Sequence, residues 1–306
     1  MKILIASPIS PRAIEELRAS HEVVEAFGKP EAELRRLIAG CEALVFRSGV
    51  QITSAVMEGS SDLKLVVRAG SGLDNLDLAY VEERSLTLVR VPGPGARAVA
   101  EMAFALMLGL SRQLRRADGL LRQGRWAKHE LHGRLLEGKT LGVYGAGNIG
   151  AQVGRMGAVW GMRVLACVAQ PSPERAAGFH GDGIELESAE RVLSEADFLS
   201  IHVPLNESTV HLIGSPELDR VKPDAFLVNL ARGGVVDENA LYDALTSGRL
   251  AGAGLDVHER EGEGEISRLA ELPNVLLTPH IGATTVDTQD VIGEKVVEII
   301  GAAGRD

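Results

Sequence analysis

The segment Gly145-Ala146-Gly147-Asn148-Ile149-Gly150 constrains the fold of this chain more than any other stretch. It follows the apolar run Thr140-Leu141-Gly142-Val143-Tyr144 directly and opens a stretch of helical character running toward Trp160. A strand that ends in three spaced glycines and continues as a helix is the first turn of a parallel βαβ unit. Gly145 permits the tight turn, Gly147 lets the backbone approach a pyrophosphate, and Gly150 lets the helix pack close to the strand, with helix N–H groups aimed at the anion. A further apolar run at residues 163–167 supplies the next strand, so the spacing predicts a dinucleotide site. The acid that would hold the ribose hydroxyls at the end of that strand is absent. Val168 stands there, within Cys167-Val168-Ala169-Gln170, and cofactor choice is only weakly specified.

Strand–helix alternation extends on both sides of this motif. Before it, short apolar runs at 2–6, 23–27, 43–47, 65–67 and 87–91 alternate with helix-like stretches such as 11–20 and 31–39. After it, runs at 163–167, 198–201, 225–229, 252–255 and 275–277 repeat the pattern. Such alternation predicts α/β architecture with two doubly wound parallel sheets. From residue 98 to about 121 one helix is expected. Its early half, with Val99, Met102, Ala103, Leu106, Met107 and Leu110, is apolar enough to be buried between domains or subunits. A last helix at 284–300 follows the final strand of the second alternation and is expected to cross back onto the first domain.

The chain has 306 residues, enough for two domains with a cleft between them. With 32 Lys+Arg against 42 Asp+Glu, its net charge of −10 repels a phosphate backbone and disfavours nucleic acid as a partner. Cys41 and Cys167 have neither CxxC spacing nor neighbouring His, so they read as free thiols in a reducing compartment, with no metal-ligand set. No run approaches the ~18 apolar residues of a membrane span, and the apolar start is too short for a signal peptide. Cytoplasmic location is the expectation.

Three later strands each close on chemistry-bearing residues. They run into Asn229-Leu230-Ala231-Arg232-Gly233, then Asp256-Val257-His258-Glu259-Arg260-Glu261, then Thr278-Pro279-His280-Ile281-Gly282-Ala283. In doubly wound sheets the carboxyl ends of strands line the ligand crevice. Arg232, Glu261 and His280 offer a cation for a carboxylate or carbonyl, an acid to hold an imidazole, and an imidazole that exchanges a proton near pH 7. Taken singly, each has an ordinary alternative: a solvated charge, a member of a charge run, a turn residue beside Pro.

Together with Arg47-Ser48, Arg68-Ala69-Gly70-Ser71-Gly72-Leu73-Asp74-Asn75, Val99-Ala100-Glu101 and His202-Val203-Pro204-Leu205, these motifs closely resemble the D-2-hydroxyacid dehydrogenases over nearly the whole chain. Within that family they are most similar to the D-3-phosphoglycerate dehydrogenases. The resemblance implies a Rossmann-type dinucleotide domain, residues 96–283, inserted into a flavodoxin-like substrate domain, residues 1–95 and 284–306, usually in a homodimer. It further implies that Arg232 binds the substrate carboxylate and carbonyl, that His280 exchanges the proton and that Glu261 orients and charges the imidazole. The backbone at Ser71 and Gly72 would hold the carboxylate, and Arg47 and Arg68 would approach a substrate phosphate. For the cofactor, NAD with NADP as the alternative, Asn148 and Ile149 match pyrophosphate positions and Val203 lies near the adenosine. Leu230, Asp256 and Gly282 would surround the nicotinamide, with Asp256 accepting from the carboxamide, and Ala231 and Ala283 would complete the cofactor contacts.

The chain departs from the family pattern at Val168, at Gly262 after Glu261, where Pro is usual, and at Gly95-Ala96, where Asn-Thr or Asn-Ser is common. With the last residue at Asp306, feedback by serine through a C-terminal regulatory domain is not expected. The resulting expectation is hydride transfer between NAD(P) and a D-2-hydroxy acid/2-oxo acid pair. The first substrate pair is 3-phosphoglycerate/3-phosphohydroxypyruvate, which would belong to serine biosynthesis, and the alternative is a glyoxylate/hydroxypyruvate reductase. From another class, the family also includes dehydrogenase-like corepressors that sense a dinucleotide.

Overall fold

The computed structural model describes residues 1–304 and divides into two compact units, residues 1–95 with the chain from Ala283 onward, and residues 96–282. In the first, strands β1 (Lys2–Ile5), β2 (Glu22–Glu25), β3 (Ala43–Phe46), β4 (Leu65–Arg68) and β5 (Thr87–Arg90) pair in parallel in the order β2-β1-β3-β4-β5. Helices α1 (Pro11–Arg18), α2 (Glu31–Leu37), α3 (Ser54–Met57) and α4 (Leu78–Glu83) make the crossovers. Successive strand residues point to opposite faces, and here both faces are covered. Ile3 and Ile5 enter one core with Ile14 and Leu17, while Leu4 enters the other with Leu34 and Met57. That is why these strands read as continuous apolar runs rather than as alternation.

The second unit opens with α5 (Gly95–Ser111) and α6 (Leu114–Arg122). Strands β6 (Thr140–Tyr144), β7 (Arg163–Cys167), β8 (Ile184–Leu186), β9 (Phe198–Ile201), β10 (Phe226–Asn229), β11 (Gly252–Leu255) and β12 (Val275–Leu277) then form one parallel sheet, ordered β12-β11-β10-β9-β6-β7-β8. They are linked by α7 (Asn148–Val159), α8 (Pro173–Gly181), α9 (Ala189–Glu195), α10 (Ser215–Leu218) and α11 (Glu238–Thr246). Both units therefore have the doubly wound α/β architecture expected from the alternation.

Two elements differ from the sequence reading. The three-residue strand β8 was not anticipated, because Ile184-Glu185-Leu186 is too short to establish a period. The single helix expected over 98–121 is two helices, broken at Gln113. That residue takes a left-handed conformation at φ 53° and donates its side-chain amide to the carbonyl of His132. Within its own unit, α5 is buried where Leu106 packs on Gly254 and Phe104 lies 5.4 Å from the Trp160 ring.

The last helix, α12 (Val286–Ala303), belongs to the core of the first unit. Ile292, Val296 and Ile300 pack with α1 residues, and Ser10 donates to Asp290 at 2.6 Å. No described helix is long and apolar enough to cross a membrane.

Candidate active site

Parallel pairing puts every strand's carboxyl end on one edge of the second sheet. The loops that leave this edge carry Gly145, Val168, His202 and Val203, residues 230–233, residues 256–261 and residues 278–282. Register aligns the last three: Asn229 pairs with Leu255, and Leu255 with Leu277, so the loops leave β10, β11 and β12 at one level.

The glycine turn is built as its spacing requires. Gly145 has φ +99°, and a Cβ there would lie 2.7 Å from both the His202 carbonyl oxygen and Val203 Cγ1. Gly150 packs on the Gly145 carbonyl, leaving no room for a side chain. A Cβ on Gly147, by contrast, would meet nothing within 4 Å, and no side chain caps the N-terminus of α7. The N–H groups of Asn148 and Ile149 therefore begin a helix whose dipole and donors suit a pyrophosphate. These residues fit a dinucleotide.

Val168 is half-buried at the end of β7, followed by exposed Ala169 and Gln170. Arg175 folds back over this loop, its Nη1 donating to the Gln170 carbonyl at 3.2 Å. Cys167 is buried, and that burial pushes its thiol up to about 11, outweighing the hydrogen bond from Gly145.

On the other loops, His280 Nδ1 lies 2.9 Å from Glu261 Oε2. Glu261 Oε1 accepts from the His258 N–H at 3.1 Å. Burial pushes the Glu261 carboxyl up, but the hydrogen bond and charge of His280, with the N–H and charge of His258, outweigh it and hold the group below its ordinary value. The carboxylate is thus kept as an acceptor for the imidazole. Before them in the chain, Asn229 clamps the Arg232 loop: Oδ1 accepts from Ala231 N–H at 3.0 Å and Nδ2 donates to Arg232 O at 3.1 Å. Arg232 Nη1 donates to Ala231 O, and Leu230 and Ala231 are buried. Asp256 is also buried, and its carboxylate accepts from Thr278 Oγ1, Ile281 N–H and Gly282 N–H.

In the first unit, loops after β1, β3 and β4 leave the carboxyl edge of that sheet. Arg47 donates its N–H to Ser7 Oγ, and its carbonyl accepts from Asn75 Nδ2. Burial lowers the Arg47 guanidinium from its usual value, and no carboxylate pairs with it among the described residues. Arg68 is only 4% exposed. Its Nε holds the Gly72 carbonyl at 2.7 Å and its guanidinium lies over Phe46, so it supports the 70–75 loop. Ser71 is exposed beside half-buried Gly72.

Sequence reasoning passed over Thr278, His258 and Asn229. Thr278 touches Asp256, its carbonyl accepts from His280 N–H, and His258 Nε2 donates to that same carbonyl at 3.0 Å. A hydroxyl residue two before a candidate proton carrier, at a strand end and followed by Pro, was the available signal.

Residues 104–282 match the family described as D-isomer specific 2-hydroxyacid dehydrogenase, NAD binding domain. The chain is 40% identical over 289 residues to the hydroxypyruvate reductase of Thermotoga maritima, covering 94% of this chain and 90% of that protein. It is 38% identical over 301 residues to the D-3-phosphoglycerate dehydrogenase of Archaeoglobus fulgidus, covering 98% of this chain but 56% of that protein. The chain therefore spans about half the length of that phosphoglycerate dehydrogenase. Among solved structures, the Aquifex aeolicus D-lactate dehydrogenase complexed with NAD and lactic acid superposes with a TM-score of 0.86 at 29% identity, covering 100% of this chain and 96% of that one. The chain belongs to the D-isomer specific 2-hydroxyacid dehydrogenase family of NAD-dependent enzymes.

Proposed function

We propose that this enzyme interconverts 3-phosphoglycerate and 3-phosphohydroxypyruvate, with Arg232, Glu261 and His280 as its catalytic residues. The observation that carries the chemistry is the 2.9 Å contact between His280 Nδ1 and Glu261 Oε2. With Nδ1–H donating to the carboxylate, the neutral ring keeps Nε2 as the acceptor, and in the oxidative direction Nε2 takes the substrate hydroxyl proton. Glu261 stabilises the imidazolium that results. Arg232 binds the carboxylate and offsets negative charge developing on the substrate oxygen. The N–H groups at Ser71 and Gly72 hold the carboxylate, and half-buried Arg47, a cation without a carboxylate partner among the described residues, receives the phosphate. A bound dinucleotide would supply hydride transfer at the substrate C2. Gly145, Gly147, Asn148, Ile149 and Gly150 would hold its pyrophosphate, Val168 and Val203 would lie at its adenosine, Leu230, Asp256 and Gly282 would surround its nicotinamide, and Ala231 and Ala283 would complete the cofactor contacts.

A second reading, a glyoxylate/hydroxypyruvate reductase, is favoured by one observation: Arg68, one of the two arginines expected to approach a phosphate, is buried and holds the Gly72 carbonyl of its own loop. A steady-state screen of 3-phosphohydroxypyruvate, hydroxypyruvate, glyoxylate and 2-oxoglutarate with both dinucleotides decides between them. The highest kcat/KM belongs to 3-phosphohydroxypyruvate on the first reading and to hydroxypyruvate or glyoxylate on the second. Dinucleotide binding without turnover of any 2-oxo acid supports a corepressor.

The proposal includes residues 1–95 with 284–306 as the substrate domain and residues 96–283 as the dinucleotide domain. It also includes a homodimer. None of the residues of α6 is buried, although Leu114 and Leu121 lie on it, and Trp126, just beyond, is 79% exposed. Such apolar exposure is what a partner subunit covers. Light scattering of the wild type and of Trp126→Ser tests this. The free, buried thiols of Cys41 and Cys167 support a reducing, cytoplasmic compartment.

A further inference from the structure

We infer that Asp256 is a positioning residue for His280: its carboxylate and carbonyl hold the turn that aims the imidazole at Glu261. The inference rests on the reading of His280 as the proton-transfer group.

His280 has φ +54°, a left-handed conformation uncommon for a residue with a Cβ. Something must hold it there, and every strong donor of the turn points at one residue. The His280 N–H donates to the Asp256 carbonyl at 2.7 Å. The Ile281 N–H donates to Asp256 Oδ1 at 2.9 Å and the Gly282 N–H to Oδ2 at 2.7 Å. Three consecutive backbone donors thus converge on a single residue, and the last two, from Ile281 and Gly282, form a small anion-binding concavity whose anion is supplied by the chain itself. Thr278 Oγ1 adds a fourth bond to Oδ1 at 2.6 Å. A Cβ on Gly282 would lie 2.8 Å from Oδ2, so the close approach depends on glycine.

Asp256 is itself anchored, its N–H donating to the Asn229 carbonyl at 3.0 Å, and it is 2% exposed. The pair is thereby located from two sides. His258 N–H fixes Glu261 Oε1, and Asp256 fixes the backbone from which His280 Nδ1 reaches Oε2. Three donors on a carboxylate with about four acceptor positions leave little of it for a carboxamide, so positioning is its larger task.

Asp256→Asn keeps the shape but must turn an NH₂ toward the Gly282 N–H or toward the Ile281 N–H and Thr278 hydroxyl, setting donor against donor. The test measures kcat, KM, NAD affinity by calorimetry, and the ¹⁵N-labelled imidazole signal of His280, identified by its loss in His280→Ala. In Asp256→Asn, kcat is expected to fall ~10²-fold and the hydrogen-bonded Nδ1 signal to shift, while in Thr278→Val, which touches none of the proposed cofactor contacts, KM and the NAD Kd stay within about threefold. Thr278→Val is expected to lose about tenfold in kcat and Thr278→Ser to recover it, because only the hydroxyl is at issue. This pair decides the matter alone if Asp256→Asn does not fold. A raised NAD Kd at unchanged kcat in Thr278→Val, or full activity in all three variants beside an inactive His280→Ala, overturns the positioning role. An active His280→Ala instead overturns the reading on which it rests.

Discussion

Gly233 lies so close to the carbonyl oxygen of His258 that a methyl group on its Cα would overlap that oxygen and crowd the Glu259 amide. The loop carrying Arg232 and the loop carrying Glu261 are therefore in backbone contact. Gly233→Ala must push them apart, and overpacking of this kind costs roughly 1–3 kcal/mol. The variant is expected to melt lower than the wild type and to lose turnover more than dinucleotide affinity, measured by calorimetry beside steady-state kinetics. Wild-type kcat in Gly233→Ala would show that the spacing of the two loops does not matter to the reaction.

Removing the imidazole in His280→Ala is expected to lower turnover ~10²–10⁴-fold while dinucleotide binding persists. Glu261→Gln keeps a hydrogen-bond acceptor but not the charge, and is expected to lose less than His280→Ala does. Equal activity of Glu261→Gln and the wild type would place Glu261 with the surrounding charge run.

Arg47→Ala is expected to weaken 3-phosphohydroxypyruvate selectively, since a charge-assisted bond to a dianion is lost only where a phosphate is bound. Parallel kcat/KM values for hydroxypyruvate supply the comparison. Equal losses on both substrates would favour the reductase.

Valine at position 168 neither accepts from ribose hydroxyls nor repels a 2′-phosphate. Discrimination between NAD and NADP is therefore expected to be small, and Val168→Asp is expected to tighten NAD and weaken NADP, read as Kd by calorimetry. Arg175, held over this loop by the Gln170 carbonyl, is the cation available to a 2′-phosphate. A wild-type preference for NAD above ~100-fold, about 2.7 kcal/mol, would mean that another group does the work of the missing acid.

Burial pushes the His202 imidazole from 6.5 down to about 3. Ser200 Oγ lies 2.7 Å from Nε2, and Nδ1 is buried with no partner among the described residues. Below pH 6.5 the unfolded chain binds a proton at this residue that the folded chain refuses until about pH 3. The stability due to the neutral ring is thus complete above the unfolded value and is lost as pH falls between the two, at up to about 1.4 kcal/mol per pH unit. Denaturant unfolding of wild type and His202→Gln between pH 7 and about 5.5 checks this. The wild type should lose stability toward acid more steeply than the variant, and parallel slopes would remove His202 from the account.

Much of the fold was legible because its signals are local. Apolar runs bounded by turn residues mark the strands, and the first sheet buries such runs on two faces. Where local signal was short or contradicted by a distant partner, the reading failed. Three residues cannot declare β8, and nothing near Gln113 announces that its amide bonds to His132, across 19 positions, and breaks the helix. For the site, sequence marks Arg68 as a cation at a strand end, and only the structure shows that it is buried with its Nε on the Gly72 carbonyl and its guanidinium over Phe46.

By itself, the sequence determined the two strand–helix alternations and the glycine turn after β6, because periodicity and steric demands at Gly145 and Gly150 act over a few residues. Only the tertiary structure decided which side chains meet at the sheet edge. Glu261 and His280 are 19 positions apart with β12 between them, and Asp256 is 25 positions from Ile281. Their contacts exist because the pairing of Leu255 with Leu277 releases two loops at the same height. Register across a parallel sheet is set by the packing of whole faces, so no short window of sequence contains it.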